Sequence, residues 1–177
     1  MSPTPYRQGR LDSLCGIYAL INGFVHARRH DPLRYFPTKR LFMTLVERMA
    51  KIRGDTSFCG DGIDYDEFRK LAKAACRFHR EEGNQFELLS PKALLDQPYP
   101  KKASDDVARR EWFRAASAIP DAAVILDINT PWMSHWSVLA GVDGDRLLLF
   151  DSNGMRGIAM ASTQAFLVIR MMGTSPA

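Results

Sequence analysis

The chain has 177 residues, a formal net charge of +4 and 46% hydrophobic residues, which is the composition of one globular domain covering residues 1–177. This excludes a disordered or fibrous protein, and no apolar run approaches the ~18 residues of a membrane span, so we expect no membrane association. The amino terminus has no apolar signal-peptide core, which predicts a cytoplasmic location. Acidic residues are interleaved with the basic clusters, so nucleic-acid binding is not expected.

The first half of the chain predicts helices. Apolar residues from Leu14 to Val25 recur at the spacing of one helical face, and this is the clearest helix in the sequence. Asp12 and Ser13 precede it as candidate N-caps. The glycine- and aspartate-rich segment 54–64 predicts a loop. Further helices are predicted from Thr38 to Ile52, from Asp64 to Arg80 and from Ser104 to Ala118.

The second half predicts a sheet, because short apolar runs alternate with turn residues. These runs cover residues 122–128, 136–142, 147–150 and 166–171, and residues 85–89 predict one more short strand. The order of elements indicates an α+β fold. Its helical N-terminal half carries the candidate nucleophile, and its C-terminal antiparallel sheet carries the candidate partners of that nucleophile.

Cys15 is the candidate nucleophile. It falls in the first turn of the clearest helix, where free backbone N–H groups and the helix dipole stabilise an anion and so favour the thiolate. Gly16 permits another backbone or a substrate to approach the thiol closely. Taken alone, the position of Cys15 favours an inert buried thiol, as free cysteines often are.

His135 is the candidate general base. It is the histidine that begins a predicted strand in an apolar setting, whereas the others lie among charged residues near helix ends and are predicted to be on the surface. The alternative for His135 is a structural histidine at a strand edge. The three histidines predicted to be on the surface are His26, His30 and His79.

The position of Asp151 depends on the turn of one hairpin. Asp143 and Gly144 mark the turn. A two-residue loop of Asp143 and Gly144 places Asp151 opposite Trp136, on the face away from His135. A loop one residue longer, with Gly144 left-handed, places Asp151 directly opposite His135. Only the longer loop lets the carboxylate orient the imidazole in the way that catalysis requires.

Acyl transfer also needs a donor for the oxyanion of its tetrahedral intermediate. Gln8 precedes Cys15 by seven residues and could present its side-chain amide beside the Cys15 backbone N–H. The alternative is an exposed glutamine in an N-terminal arm.

These residues resemble the papain-like cysteine peptidases, in which Gln, Cys, His and Asp or Asn follow in that order. The residues are similar to two variants in particular, the bacteriocin-processing (C39-like) peptidases and the Josephin-type deubiquitinases. The resemblance implies a papain-like fold and no cofactor or metal, with Cys15 as nucleophile, His135 as base, Asp151 as orienter and Gln8 as oxyanion donor. It is carried by Gln8, DSLCGIYALIN at 12–22, HWSV at 135–138 and FDS at 150–152.

The resemblance implies a cysteine peptidase or isopeptidase acting on a peptide or protein, with ubiquitin-like proteins and leader peptides as candidate substrates. Three residues remain open as substitutes for the orienter: Asp127, Asn129 and Asn153. The same triad also serves acyltransferases of the transglutaminase kind, and an inactive papain-like domain could act as a binding module.

A zinc site is a rival interpretation. Cys76 and His79 stand three residues apart on a predicted helix, and Cys59 precedes them in the chain. Their irregular spacing lacks the paired Cys-x-x-Cys pattern, so we expect a loop thiol and a core thiol instead.

Overall fold

A computed structural model describes residues 4–8, 13–30, 37–100 and 106–172. Helices dominate the N-terminal half, and strands dominate the C-terminal half, so the predicted α+β class is confirmed. The helices are α1 (Cys15–Ala27), α2 (Thr38–Arg53), α3 (Phe58–Asp61), α4 (Tyr65–Glu81) and α5 (Asp106–Ala118). The strands are β1 (Phe86–Leu89), β2 (Ala122–Thr130), β3 (Met133–Asp143), β4 (Arg146–Phe150), β5 (Gly157–Ala159) and β6 (Thr163–Met171).

The described strands form one antiparallel sheet in the order β1-β6-β2-β3-β4-β5. One apolar cluster joins α1, α2 and α4 to a face of this sheet, and a second joins α5 to the other face. The sheet is therefore a central layer covered by helices on both sides. The predicted start of α5 at Ser104 lies outside the described residues.

Helix α1 packs very closely on the sheet. A side chain at Gly23 would meet Ile169 Cδ1 at 2.8 Å and Ile125 Cδ1 at 2.9 Å, so only glycine fits there without a shift. Leu20 and Phe24 are fully buried in the same helix. This packing fixes the first turn of α1, and with it Cys15, relative to the strands.

Two surface predictions are wrong. His26 and His79 are buried, and His79 contacts the rings of Phe24 and Phe86 at centroid distances of 4.4 and 5.0 Å. Burial, followed by the charges of nearby arginines, lowers the pKa of each histidine to about 4, so both are neutral in the core at pH 7. Their charged sequence neighbours concealed this, because one helix turn carries both core and surface positions.

Among the described residues, no helix is both long enough and apolar enough to cross a membrane.

Candidate active site

Cys15 is the first residue of α1, and no side chain caps that helix end. The N-cap position is Leu14, and the first turn contains no acidic residue. The prediction that Ser13 caps the helix is wrong, because its hydroxyl donates to the Gly60 carbonyl at 2.8 Å. Asp12, the other candidate cap, lies outside the described residues. Among the described residues, no carboxylate or hydroxyl caps the positive end of α1 beside the thiol.

His135 and Asp151 form a buried pair. His135 Nε2 lies 2.6 Å from Asp151 Oδ1, and the same oxygen accepts a hydrogen bond from Ser137 Oγ at 2.8 Å. The second carboxylate oxygen accepts the backbone N–H groups of Asn153 at 2.7 Å and Met155 at 3.2 Å. Both oxygens of Asp151 are thus engaged, which holds the carboxylate in one orientation.

The hairpin register differs from both predicted alternatives. Asp143 pairs with Arg146, so the two loop residues are Gly144 and Asp145, and Gly144 has a left-handed φ of 55°. A register shift between Leu139 and Gly141 leaves Ala140 as an extra residue in β3.

The bulge decides which face Asp151 occupies. Beyond it, Val138 pairs with Phe150, and continuing this register by one residue places Asp151 opposite Ser137. Ser137 and His135 share a face of β3, since side chains alternate along a strand. The prediction that Asp151 lies directly opposite His135 is therefore wrong, although the carboxylate reaches the imidazole diagonally.

The other side of the imidazole faces Cys15. Both residues line the same cavity, and the thiol contributes to the pKa of the ring. Because Nε2 contacts Asp151, Nδ1 is the nitrogen left for the sulfur. Burial alone would lower the pKa of His135, but the hydrogen bonds and the charges of Asp151 and Cys15 outweigh burial and raise it to about 9. The ring is therefore an imidazolium at neutral pH.

Asp151 remains a carboxylate beside this ring. Burial acts to raise its pKa, but the hydrogen bond and charge of His135, with the hydrogen bonds from Ser137 and the Met155 N–H, bring the pKa below its ordinary value. A charged imidazole is thus matched by a charged carboxylate.

Gln8 is held next to this pair by its backbone. Its N–H donates to the Ser152 carbonyl at 3.0 Å, and Ser152 Oγ lies 3.5 Å from Gln8 Oε1. The segment before it is held by Asn22 of α1, which accepts from the Tyr6 N–H at 2.8 Å and donates to the Tyr6 carbonyl at 3.2 Å. Asn22 and Ser152 therefore position the N-terminal segment against the helix that carries Cys15.

A cavity of about 290 Å³ brings the predicted residues together. Cys15, His135 and Gln8 line it, and Asp151 lies behind the imidazole. Its other lining residues include Ser13, Asp61, Gly62, Ile63, Met133, Ser134, Trp136 and Asn153. The lining of the cavity therefore includes a thiol, an imidazole and a side-chain amide.

None of the three substitutes for the orienter takes the place of Asp151 beside the imidazole. Asp127 accepts hydrogen bonds from Tyr65 at 2.5 Å and from Gln164 at 2.8 Å. Asn129 is exposed on β2, and Asn153 supplies its backbone N–H to Asp151. Asp151 is the carboxylate that contacts the imidazole.

The zinc interpretation gains no support from the geometry. Within residues 4–8, 13–30, 37–100 and 106–172, no three His, Cys, Asp or Glu side chains form a group that could hold a metal ion. Cys59 is half-buried in α3, and Cys76 is buried in α4, where burial raises the pKa of its thiol to about 11.

Sequence reasoning missed the supporting residues Ser137, Ser152 and Asn22. Ser137 carries a readable signal, because it follows His135 by two positions and therefore shares its face of the strand. Asn22 is a polar residue on an otherwise apolar helical stripe, which is also a signal for a specific hydrogen bond. The contact of Ser152 with Gln8 joins residues at opposite ends of the chain and has no local signal.

A scan against models of known protein families finds no match to this chain, and a search of curated protein sequences finds no significant match.

Proposed function

We propose that this protein is a cysteine hydrolase with a papain-like fold that cleaves peptide or isopeptide bonds. The observation that carries the proposal is one imidazole, His135, that contacts a buried carboxylate and lines the same cavity as a helix-start thiol. An ordinary buried cysteine needs neither partner. Two charged groups are costly to bury, so their presence beside Cys15 favours a catalytic role over a structural one.

In the first half of the proposed reaction, the Cys15 thiolate attacks the carbonyl carbon of the substrate. A C–S bond forms, and the carbonyl electrons move to oxygen, where the Gln8 amide and the Cys15 backbone N–H stabilise the charge. When the carbonyl re-forms, the C–N bond breaks, and His135 gives its proton to the leaving amine. The product is a thioester on Cys15.

In the second half, neutral His135 takes a proton from water, and the resulting hydroxide oxygen attacks the thioester. Collapse of this intermediate breaks the C–S bond and releases a carboxylic acid. The sulfur leaves as thiolate while His135 keeps the proton, which restores the starting pair. Asp151 keeps the ring in the required orientation throughout.

Site-resolved alkylation tests the assignment of the nucleophile. Limited iodoacetamide at pH 6, followed by intact mass and peptide mapping, should modify Cys15 before half-buried Cys59, and Cys76 should not react. The Cys15→Ala variant should lose turnover on a panel of peptide and ubiquitin-like substrates while still binding them. Cys59→Ser is the matched control and should retain both properties. Labelling at Cys59 with Cys15 untouched would contradict the proposal.

The same assay separates hydrolysis from acyl transfer. An added primary amine competes with water for the thioester. Hydrolysis as the main reaction predicts a free carboxylic acid as the dominant product at millimolar amine, whereas a dominant amide product would identify an acyltransferase.

A further inference from the structure

One exposed side chain lines the catalytic cavity, and a second lies directly before one of the lining segments in the chain. Residues 61–63 supply one part of its lining, and residues 133–136 supply another. Asp61 lies in the first segment and is the only carboxylate among the described residues that line the cavity. Trp132 immediately precedes the second segment, in the turn between β2 and β3.

Asp61 remains available for a further ionic partner. Its side chain is 70% exposed, and its contact with Arg53 is long, at 3.6 Å. Arg53 is instead engaged by Glu67, with which it forms two hydrogen bonds of 2.7 and 3.0 Å. The guanidinium charge is thus matched by Glu67, and the Asp61 carboxylate can pair with a cation brought by a substrate.

Trp132 is exposed to an unusual degree. The indole residue is 92% exposed, whereas Trp112 and Trp136 are 1% and 6% exposed. Removing the large apolar surface of a tryptophan from water is favourable, so an exposed tryptophan gains free energy when a partner covers it. Tryptophan is also among the residue types that contribute most to binding at interfaces. The face of its ring also attracts cations.

We propose that the cavity of Cys15 receives a positively charged peptide segment. A Lys or Arg side chain next to the scissile bond pairs with Asp61, and the adjoining part of the segment packs on Trp132. This inference rests on the proposed function. Asp61 and Trp132 lie on separate segments, and both favour a basic ligand. This preference is notable because the chain as a whole has a net charge of +4, which by itself would repel such a ligand.

Peptidyl chloromethyl ketones that differ in one residue provide the test. Three probes carry Arg, norleucine or Glu next to the warhead and are otherwise identical, and the rate of Cys15 alkylation is measured for each. We expect the Arg probe to react about fivefold faster than the norleucine probe, which is the effect of an exposed ion pair near 1 kcal/mol, and the Glu probe to react most slowly. Asp61→Asn should abolish this order, and Asp61→Lys should reverse it.

Trp132→Ala should slow all three peptide probes by about tenfold, the effect of losing one interface tryptophan. Iodoacetamide is too small to reach beyond the thiol, so it should react at the wild-type rate in every variant. An unchanged rate would show that the site of the variant is still folded. Asp143→Asn and Met43→Ala remove an exposed acid and an exposed apolar side chain away from the cavity and serve as matched controls.

The outcomes separate the two proposals. Equal rates for the three probes, or rates unaffected by both Asp61→Asn and Trp132→Ala, would overturn the substrate inference and leave the hydrolase proposal standing. Failure of every peptide probe to modify Cys15 would overturn both.

Discussion

Asp151 contacts His135 from a diagonal position in the sheet, across from Ser137 and not across from the histidine itself. The distance from Asp151 Oδ1 to His135 Nε2 is 2.6 Å. Because His135 is diagonal to Asp151, the residue directly across from the carboxylate is Ser137. Its hydroxyl donates a second hydrogen bond to Asp151. The orientation of the imidazole therefore depends on two further side chains, Ser137 of β3 and Asp151 directly after β4.

The pH above which hydrolysis falls should be set by the pKa of His135. Its pKa is raised to about 9, so the imidazolium is present at neutral pH and is lost as the pH rises through about 9. Hydrolysis should fall over that range, because the leaving amine then receives no proton. Asp151→Asn removes a group that raises this pKa, so the limit should move to lower pH and kcat should fall by about 10²- to 10⁴-fold. The measurement is kcat/KM against pH, and an unmoved limit in the variant would contradict the assignment.

Ser137 should act as a positioning residue. Ser137→Ala removes one hydrogen bond to an ionised carboxylate, which contributes about 1.5–3 kcal/mol in such settings, so we expect kcat to fall by roughly tenfold or more with little change in KM. The upper limit of the pH profile should also move downward. Ser137→Thr keeps the hydroxyl and suits a strand, so it should restore both values. Loss of stability alone, with an unchanged pH profile, would assign Ser137 a merely structural role.

Gln8 should affect hydrolysis but not alkylation. Gln8→Ala removes the proposed oxyanion donor, and we expect kcat to fall by about 10²- to 10³-fold. Alkylation of Cys15 by iodoacetamide forms no oxyanion, so its rate should stay within about twofold of wild type. Gln8→Glu keeps the size of the side chain while removing its N–H donors, and it should match the alanine variant. Equal losses in hydrolysis and alkylation would show that Gln8 supports the site only structurally.

Acid should destabilise the fold through its two buried histidines. The pKa of His26 and that of His79 are lowered from 6.5 to about 4, so between these values the unfolded chain binds protons that the folded chain does not. The free energy of unfolding should therefore fall as the pH decreases from about 6.5 to about 4, by on the order of 3 kcal/mol for each histidine.

Urea unfolding at pH 7 and pH 4.5 measures how the free energy of unfolding depends on pH. His79→Leu should reduce the loss of stability at pH 4.5 relative to pH 7, because the variant lacks one of the two titrating groups. His135 contributes with the opposite sign, since its raised pKa gives stability that is complete below about 6.5 and is lost as the pH rises through about 9. An equal pH dependence in wild type and His79→Leu would contradict the prediction.

Local patterns in the sequence determined most elements of the fold. The apolar stripe that follows Leu14 placed Cys15 at a helix start, and the bounds of α2 and α4 lie within about one residue of their predictions. Helix α3 and strand β5 were missed, because four and three residues are too few to show a period. The period of apolar residues depends only on residues close together in the sequence. It can therefore be recognised without knowing which surface the helix or strand packs against.

Only the tertiary structure decided how the site is assembled. The extra residue at Ala140 shifts the register of β3 against β4, and no turn signal near Gly144 reveals it. The burial of His79 and the contact between Gln8 and Ser152 likewise depend on segments that are distant in sequence. Strand register and burial follow from the free energy of packing whole surfaces together, whereas the helix that presents Cys15 follows from the spacing of its own apolar residues.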